Sequence, residues 1–255
     1  MTATLDHTAA EIVSRVVVRV GAYRETDLVD DLARAMATVG TETAFCVHIG
    51  DLNHALRDPS YVAVLESATY LYADGNSVRI VAAAQGRRLP ERLVTTDVIW
   101  PTLRRAARGG HPVFLVGGPE GLAEAAADTM RERVPGLEVV GCAHGYFTMA
   151  EAPAVAERIR GTGAHLVVVA TGVPHQQRFC HEFGACTGAR LLMTAGGLYG
   201  YMAGQETRAP AGLRAAGFEW AWRLAQDPAR LAGRYATGCV TVARLTAAAA
   251  ALRGR

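Results

Sequence analysis

The sequence contains no lysine, so all 26 of its basic side chains are arginines. Without lysine, the chain cannot contain the Gly-Lys-Ser/Thr ending of a phosphate-binding P-loop. The 24 aspartates and glutamates nearly balance the arginines and leave a formal net charge of +2. Such a balance argues against binding to nucleic acid through a basic stripe.

The sequence also lacks the features of a disulfide-rich, metal-binding or exported chain. Its five cysteines are scattered, with no Cys-x-x-Cys pair, which excludes a zinc knuckle and a disulfide framework. The first residues carry acids where a signal peptide carries bases, and no uninterrupted apolar run approaches the roughly 20 residues that cross a bilayer. We therefore expect a cytoplasmic protein that is neither exported nor membrane-spanning.

Apolar runs rich in β-branched residues alternate with helical patterns along most of the 255 residues. The predicted strands cover residues 16–20, 44–49, 69–73, 112–116, 137–141, 165–170 and 190–195. The predicted helices cover residues 27–38, 54–67, 95–108, 119–133, 151–161 and 175–186. Near-continuous apolar strands separated by helices are typical of strands covered on both faces. The pattern predicts an α/β, Rossmann-like fold with a mainly parallel sheet and helices on both faces.

The pattern changes at about residue 209. The remaining segment predicts two helices broken at Asp227-Pro228, because a proline after a capping aspartate starts a helix well. We therefore predict an α/β core over residues 1–208 and a helical appendage over residues 209–255. Arg223, Arg230 and Arg234 are spaced by seven and four residues and would share a helical face if the break bends little. An arginine stripe is usually just a solvated surface.

Glycines follow three of the predicted strands. They are Gly117 and Gly118, Gly172, and Gly196 and Gly197. A glycine turn that leads into a helix lets the backbone approach a ligand and offers unpaired N–H groups, which favours a nucleotide or a phosphorylated ligand. The alternative is that these glycines only form tight turns. No G-x-G-x-x-G follows the first predicted strand, which disfavours a dinucleotide-dependent oxidoreductase.

Eight motifs in chain order resemble the WecG/TagA/CpsF glycosyltransferase family, from about residue 16 to residue 235. They are YADG (72–75), RLVTTD (92–97), VFLVGG (113–118), HGYF (144–147), TGVPHQQ (171–177), AGG (195–197), AGQETRAP (203–210) and FEWAWRLAQDPARLAGRY (218–235). The resemblance implies an inverting transfer of N-acetylmannosamine, or a related sugar, from a UDP-sugar. It implies as acceptor a polyprenyl-diphosphate-linked sugar, and it associates the C-terminal appendage with membrane docking.

The resemblance makes Asp74 the catalytic base, because the family's proposed base lies in the same Asp-Gly turn. Inverting transfer needs one base for the acceptor hydroxyl and cations for the departing diphosphate. The sequence has no Asp-x-Asp, the usual divalent-ion site of UDP-sugar enzymes, so we expect no metal and no cofactor beyond the donor. The arginines that follow Asp74 would then face the diphosphate. The alternative is that Asp74 only caps a helix that starts near Gly75.

Further site residues follow from the matching motifs. We expect Arg92 to contact the ligand and Thr95-Thr96-Asp97 to cap a helix. His144, Gly145 and Tyr146 should line the cleft, and Gln176 and Gln177 could hydrogen-bond sugar hydroxyls or an amide. The resemblance places Arg223, Arg230 and Arg234 in the appendage motifs whose arginines can close over the active site.

Three departures from the family pattern leave the substrates open. The usual Thr-x-Asn is replaced by Cys46 and His48, the usual glutamate after Pro-Lys-Gln by Gln177, and the usual Phe-Asp by Tyr199-Gly200. We assign no catalytic role to Cys46 and interpret His48 as a strand histidine with satisfied hydrogen bonds. The departures keep two alternatives open: an enzyme that glycosylates a soluble small molecule, and a non-catalytic nucleotide-sugar binding protein. Peripheral membrane contact and self-association are also left open.

Overall fold

A six-stranded, fully parallel sheet forms the centre of the protein. The computed structural model describes residues 6–210, 212–213 and 217–254, and within these the side chains of all residues except Arg223, Arg230, Leu231 and Arg234. The strands are β1 (Glu42–Val47), β2 (Tyr70–Ala73), β3 (Val113–Gly117), β4 (Val139–Ala143), β5 (Leu166–Ala170) and β6 (Leu191–Thr194). They lie side by side in the order β2-β1-β6-β5-β3-β4.

Helices cover both faces of this sheet. They are α1 (His7–Arg15), α2 (Glu25–Ala37), α3 (Ile49–Arg57), α4 (Tyr61–Glu66), α5 (Ser77–Ala84), α6 (Thr95–Arg108), α7 (Leu122–Arg133), α8 (Ala152–Arg160), α9 (His175–Phe183), α10 (Leu198–Met202), α11 (Glu219–Gln226) and α12 (Pro228–Arg253). One core cluster contains residues of α1, α3, α4, α5, α8, α9 and the end of α12, and the other contains residues of α2, α6, α7 and α10. The predicted α/β fold class is confirmed.

The predicted strand at residues 16–20 is wrong. The segment continues from α1 into a 3₁₀ turn, Val17–Arg19. Val13, Val16, Val17 and Val20 are fully buried, whereas Val18 is 43% exposed. Spacing of three and four residues between buried valines is a helical period, and it outweighs the strand preference of β-branched residues here.

The predicted helix at residues 54–67 is two helices. α3 ends at Arg57 and α4 begins at Tyr61. Pro59 lies between them and has no N–H with which to continue α3. The Asp58 carboxylate accepts hydrogen bonds from the Ser60 backbone N–H at 3.1 Å and from its hydroxyl at 2.6 Å, which fixes the turn.

The two C-terminal helices meet at Asp227, where the sequence predicted the break. The second half of α12 packs onto the core through buried Leu245, Ala248 and Ala249. By length and composition, Tyr235–Arg253 is the one helix in the described part of the chain that could cross a bilayer, with a mean hydropathy of 1.3. A core helix can pass the same test, and 28% of this stretch is buried in the fold. The division at residue 208 stays a prediction.

A histidine pair at the amino ends of β3 and β5 predicts a loss of stability in acid. The Nδ1 atoms of His111 and His165 lie 3.1 Å apart, so one must donate and the other accept. Burial, followed by the charge of Arg190, lowers the pKa of both histidines. The unfolded chain therefore binds more protons near pH 6, and the free energy of unfolding falls as the pH drops through the unfolded histidine pKa of about 6.5.

Urea unfolding between pH 7.5 and pH 5.5, values chosen to bracket that pKa of about 6.5, measures this effect. The double variant His111→Asn/His165→Asn should show a smaller decrease in unfolding free energy than the wild type. The exposed His181 provides the control, since His181→Asn should keep the wild-type decrease. Identical decreases in all three proteins would show that the pair does not couple to folding.

Candidate active site

The carboxyl ends of all six strands lie along one edge of the sheet, where parallel α/β folds bind ligands. Asp74 follows β2 at one end of this edge, and Gly118 follows β3 near the other end. Four strand spacings separate β2 from β3, which corresponds to about 19 Å. The edge therefore has an acidic end at β2 and a glycine-rich end at β3 to β5.

Asp74 is held at the acidic end by the start of α6. The Thr95 hydroxyl donates a hydrogen bond to Asp74 Oδ2 at 2.9 Å, and the Tyr72 hydroxyl lies 3.2 Å from Thr95 Oγ1. The Asp74 N–H donates to the Val47 carbonyl at 2.8 Å, which continues the β1–β2 pairing to the last residue before the loop. The carboxylate thus has a fixed position at the strand end.

Thr95 is a site residue for which the sequence predicted a different role. Val94 occupies the N-cap position of α6, and its side chain makes no capping hydrogen bond. The prediction that Thr95-Thr96-Asp97 caps this helix is therefore wrong. Thr95 is buried and orients Asp74 instead. The Asp97 carboxylate accepts a hydrogen bond from Arg208 at 2.6 Å and ties the loop before the appendage to α6. The sequence signal for the contact between Thr95 and Asp74 was the occurrence of YADG and TTD in the same set of family motifs.

The arginines that follow Asp74 have different surroundings. The Gly75 N–H donates to the Leu93 carbonyl at 2.9 Å, so the segment that contains Arg92 lies against the Asp74 turn. Arg87 donates to the carbonyls of Val17 and Val20 at 2.6 and 2.8 Å and thereby holds the turn after α1. Arg92 is the predicted ligand contact that lies at the acidic end of the edge.

Cys46 is buried beneath the acidic end. Its Sγ donates to the Thr194 carbonyl at 3.3 Å, and the side chain is 1% exposed. Burial first, and then the charges of Asp74 and Asp51, raise the pKa of the thiol to about 12. The thiol is therefore protonated at neutral pH and is not a nucleophile.

A buried carboxylate, Asp51, was missed in the sequence analysis. It is 0% exposed and accepts hydrogen bonds from the Tyr61 hydroxyl at 2.9 Å, Gln177 Nε2 at 2.8 Å and the His48 backbone N–H at 3.0 Å. Its negative charge and the burial of the ring together raise the pKa of the Tyr61 hydroxyl, with burial the larger cause. Asp51 therefore joins the start of α3 to α9.

His48 lies just beyond β1 and caps α3, whereas the sequence predicted a residue inside the strand. Its Nδ1 accepts a hydrogen bond from the Gly50 N–H at 2.8 Å, and Asp51 Oδ2 accepts from the His48 N–H, which completes a reciprocal capping box. The predicted satisfied hydrogen bonds are present. Since Nδ1 is an acceptor, the proton of the neutral imidazole is on Nε2.

The two glutamines after the Thr-Gly-Val-Pro turn are both fully buried. Gln177 donates to Asp51 and supports the edge from below. Gln176 Oε1 accepts the Gly196 N–H at 3.1 Å and so links the turn after β5 to the turn after β6. Gln176 Nε2 is buried without a hydrogen-bond partner among the described residues, so it is the glutamine atom that still has a donor to offer.

The glycine-rich end is a tight crevice between the turns after β3, β4 and β5. α7 follows β3 onto one face of the sheet, and α9 follows β5 onto the other, which opens a crevice between these neighbours. The Gly145 N–H donates to the Gly118 carbonyl at 2.7 Å. Gly118 has a φ of +70° and Gly172 a φ of +83°, which favour glycine. The structure thus brings the predicted glycines of three motifs together.

Gly145 leaves no room for a side chain in this crevice. An added Cβ would lie 2.9 Å from both Gly117 Cα and Gly118 N. We expect Gly145→Ala to destabilise the protein by about 1–3 kcal/mol, because backbone must shift to relieve the overlap. The matched control is Gly197→Ala, since Gly197 has a φ of −83° and nothing lies within 4 Å of its added Cβ. Equal melting temperatures for the two variants would contradict the crevice geometry.

The histidine and tyrosine of the HGYF motif lie at the rim of this end. His144 is exposed, and the Tyr146 side chain is 75% exposed. His175, which the sequence analysis did not single out, accepts or donates a hydrogen bond with Thr171 Oγ1 at 2.9 Å and packs edge-on against Phe147. Burial lowers the pKa of His175, so its ring is neutral at pH 7.

The predicted appendage arginines lie on α11 and α12. Arg223 belongs to α11, and Arg230 and Arg234 belong to α12. Their side chains fall outside the described residues, so the prediction that they close over the site stays untested. Asn76 and Gly217 are in contact, since an added Cβ at Gly217 would lie 2.6 Å from Asn76 Nδ2. Gly217, two residues before α11, therefore lies near the acidic end of the edge.

Within the described residues, no group of three or more histidines, cysteines, aspartates or glutamates is arranged to hold a metal ion. The edge instead combines an oriented carboxylate, a buried amide donor and a crevice of glycine turns. The family model of the glycosyl transferase WecG/TagA/CpsF family matches residues 13–255, nearly the whole chain. The protein therefore belongs to the WecG/TagA/CpsF family of glycosyltransferases.

Proposed function

We propose that the protein is an inverting, metal-independent glycosyltransferase that transfers N-acetylmannosamine, or a related hexose derivative, from a UDP-sugar to an acceptor hydroxyl. The observation that carries this proposal is the position of Asp74 at the carboxyl end of β2, fixed by the 2.9 Å hydrogen bond from Thr95. It lies on the same edge as the glycine crevice, within a chain of a glycosyltransferase family.

In the proposed reaction, Asp74 removes the proton from the acceptor hydroxyl while the oxygen of that hydroxyl attacks the anomeric carbon of the donor sugar. The bond from that carbon to the UDP oxygen breaks, and the electron pair passes to the diphosphate. Thr95 holds one carboxylate oxygen and so sets the orientation of the base. Cations and N–H groups stabilise the developing charge on the diphosphate, a role we assign to Arg92 and to Arg223, Arg230 and Arg234.

The length of the edge fits an elongated donor. The nucleotide would lie at the glycine crevice, where backbone can approach closely, and the sugar would extend towards β6. Only two strand spacings, about 10 Å, separate β6 from β2. Gln176 Nε2 lies beside the Gly196 turn on this path and offers its donor to a sugar hydroxyl or an amide oxygen.

We propose a polyprenyl-diphosphate-linked sugar as the acceptor and peripheral contact with the membrane through the C-terminal helices. Apolar side chains at the appendage are exposed to solvent: Leu213 by 38%, Phe218 by 50% and Trp220 by 48%. Exposed aromatic residues are typical of surfaces that enter the bilayer interface. Sedimentation with anionic vesicles tests this part: the wild type should bind, and Phe218→Ser/Trp220→Ser should bind less.

Mass spectrometry of reaction products tests the proposed function. The wild type is incubated with a mixture of UDP-sugars and with lipid-linked and soluble acceptors, and the products are compared with those of Asp74→Asn. A new glycoside that the variant does not form would support the proposal. Transfer only to soluble acceptors would replace the lipid acceptor by a small molecule. Binding of UDP-sugars without any transfer would favour the non-catalytic alternative.

A further inference from the structure

A cavity of about 350 Å³ lies on the outer side of α5, next to the acidic end of the edge. It is lined by Asn76, Arg79, Ile80, Ala83, Arg87, Arg88 and Leu89. Asn76 is two residues from Asp74, so at most about 7 Å of chain separates the base from this end of the cavity lining. The cavity is therefore close enough to hold another part of a molecule that reacts at Asp74.

The lining carries three positive charges and no carboxylate. Arg88 is exposed and forms no ion pair within the described ranges. A fourth guanidinium, from Arg253 at the end of α12, lies beside Gly86, the residue before Arg87: an added Cβ at Gly86 would lie 3.2 Å from Arg253 Nε. Like charges that line one cavity repel one another, and an anion bound between them removes the repulsion.

Two of these guanidinium groups are positioned by neutral partners. The carbonyls of Val17 and Val20 hold Arg87 at 2.6 and 2.8 Å. The Leu89 carbonyl lies 3.4 Å from Arg79 Nη2, and Arg79 Nε is buried without a partner in the described part of the chain. Carbonyl oxygens orient a guanidinium without cancelling its charge, so the cavity keeps its positive charge in a fixed arrangement.

The cavity also has an apolar side, which distinguishes it from a simple anion site. Ile80 and Ala83 lie one turn apart on α5, and the Ile80 side chain is 50% exposed. Leu89, on the loop after α5, also lines the cavity and is 8% exposed. A ligand that contacts both sides has an anionic group next to an alkyl or prenyl chain.

We propose that this cavity binds the diphosphate and the first prenyl units of the lipid-linked acceptor; the assignment rests on the proposed function. Inversion requires the acceptor to attack the face of the donor sugar opposite the departing UDP. The cavity lies on α5, the helix that follows β2 and Asp74, whereas the glycine crevice lies four strands away at β3. The two diphosphates therefore bind at separate sites, with the acceptor sugar between the cavity and the base.

Kinetics with a short-chain prenyl-diphosphate-linked sugar test the assignment. Arg88→Ala should raise the KM for this acceptor by about 10-fold, the loss of one charge-assisted hydrogen bond. Its KM for the UDP-sugar should not change. The same sugar as an alkyl glycoside without diphosphate should be transferred equally by Arg88→Ala and the wild type. The matched control is Arg108→Ala, an exposed arginine at the far end of α6, which should behave as the wild type.

Two outcomes would overturn the assignment. In the first, Arg88→Ala and Arg108→Ala have the same acceptor KM. In the second, the KM for the UDP-sugar rises together with the acceptor KM, which would make the cavity a donor site. Calorimetric titration with inorganic pyrophosphate in saturating UDP needs no turnover. If the wild type binds pyrophosphate and Arg88→Ala binds it more weakly, the cavity is supported as a diphosphate site even if no UDP-sugar reacts. The vesicle arm asks whether phosphatidylglycerol vesicles compete with the prenyl-linked acceptor as strongly as pyrophosphate does. That result would assign the cavity to a phospholipid headgroup and overturn the acceptor assignment.

Discussion

Asp74→Asn is expected to lower kcat by about 10²–10⁴-fold, the range that a positioned general base contributes. Asparagine has nearly the same shape as aspartate but cannot take a proton from the acceptor hydroxyl. Its amide oxygen can still accept the hydrogen bond from Thr95, so the turn after β2 should keep its conformation. The effect should therefore be confined to turnover, and UDP-sugar affinity should stay close to the wild-type value.

Single-turnover kinetics and calorimetric titration of UDP measure these two properties separately. The matched control is Asp30→Asn, which makes the same chemical change at a carboxylate that is 57% exposed and pairs with Arg105 on the surface. It should keep wild-type turnover, since an exposed ion pair contributes about 0–1 kcal/mol. If Asp74→Asn also kept near-normal turnover, another group would be the base.

Thr95→Val separates the orientation of the base from its chemistry. The substitution removes the hydroxyl that bonds Asp74 Oδ2 and leaves the carboxylate in place. A base that can rotate is less often in a productive geometry, so kcat should fall, but by less than in Asp74→Asn. A shift in the pH dependence of kcat that accompanies the loss would identify Thr95 as a positioning residue.

The order of strands and helices could be predicted from sequence wherever a run was long and its period clear. The apolar runs of β3 and β5 are continuous because both faces of the sheet are covered, and each ends within one residue of its predicted limit. Residues 16–20 misled the prediction because five residues rich in valine satisfy both a strand preference and a helical burial pattern. The helical continuation from α1 depends on Arg87, which bonds the carbonyls of Val17 and Val20 from 67 or more residues away in sequence.

The site was predictable only as far as local motifs describe it. The glycine turns are local features, and the structure brings them together. Asp51 could not be found in this way, because its burial depends on Gln177, which is 126 residues away. The role of Thr95 likewise depends on a contact with Asp74 across 21 residues, and a threonine at the start of a helix more often serves as a cap.

Asp51 is also a residue whose removal should destabilise the protein strongly. Asp51→Ala leaves two buried donors, the Tyr61 hydroxyl and Gln177 Nε2, and the part-buried His48 N–H without an acceptor. Each buried donor that loses its partner costs about 1–3 kcal/mol, so the free energy of unfolding should fall by about 3 kcal/mol or more. Asp51→Asn should have a smaller effect, because its amide oxygen can still accept from Tyr61 and Gln177.

Asp58→Ala provides the comparison that isolates burial. Asp58 also joins the end of α3 to α9, through a 2.7 Å hydrogen bond from Arg178, but its side chain is 35% exposed. Asp58→Ala also removes the hydrogen bonds from Ser60, but water can solvate all the groups that Asp58 leaves behind, so the expected loss is about 1 kcal/mol. Urea unfolding measures the loss of unfolding free energy in both variants, and unchanged m-values would show that the losses are comparable. Equal losses would mean that the two carboxylates act only as links between α3 and α9. A much larger loss for Asp51→Ala would show that the edge which carries Asp74 is supported from below by a buried charge.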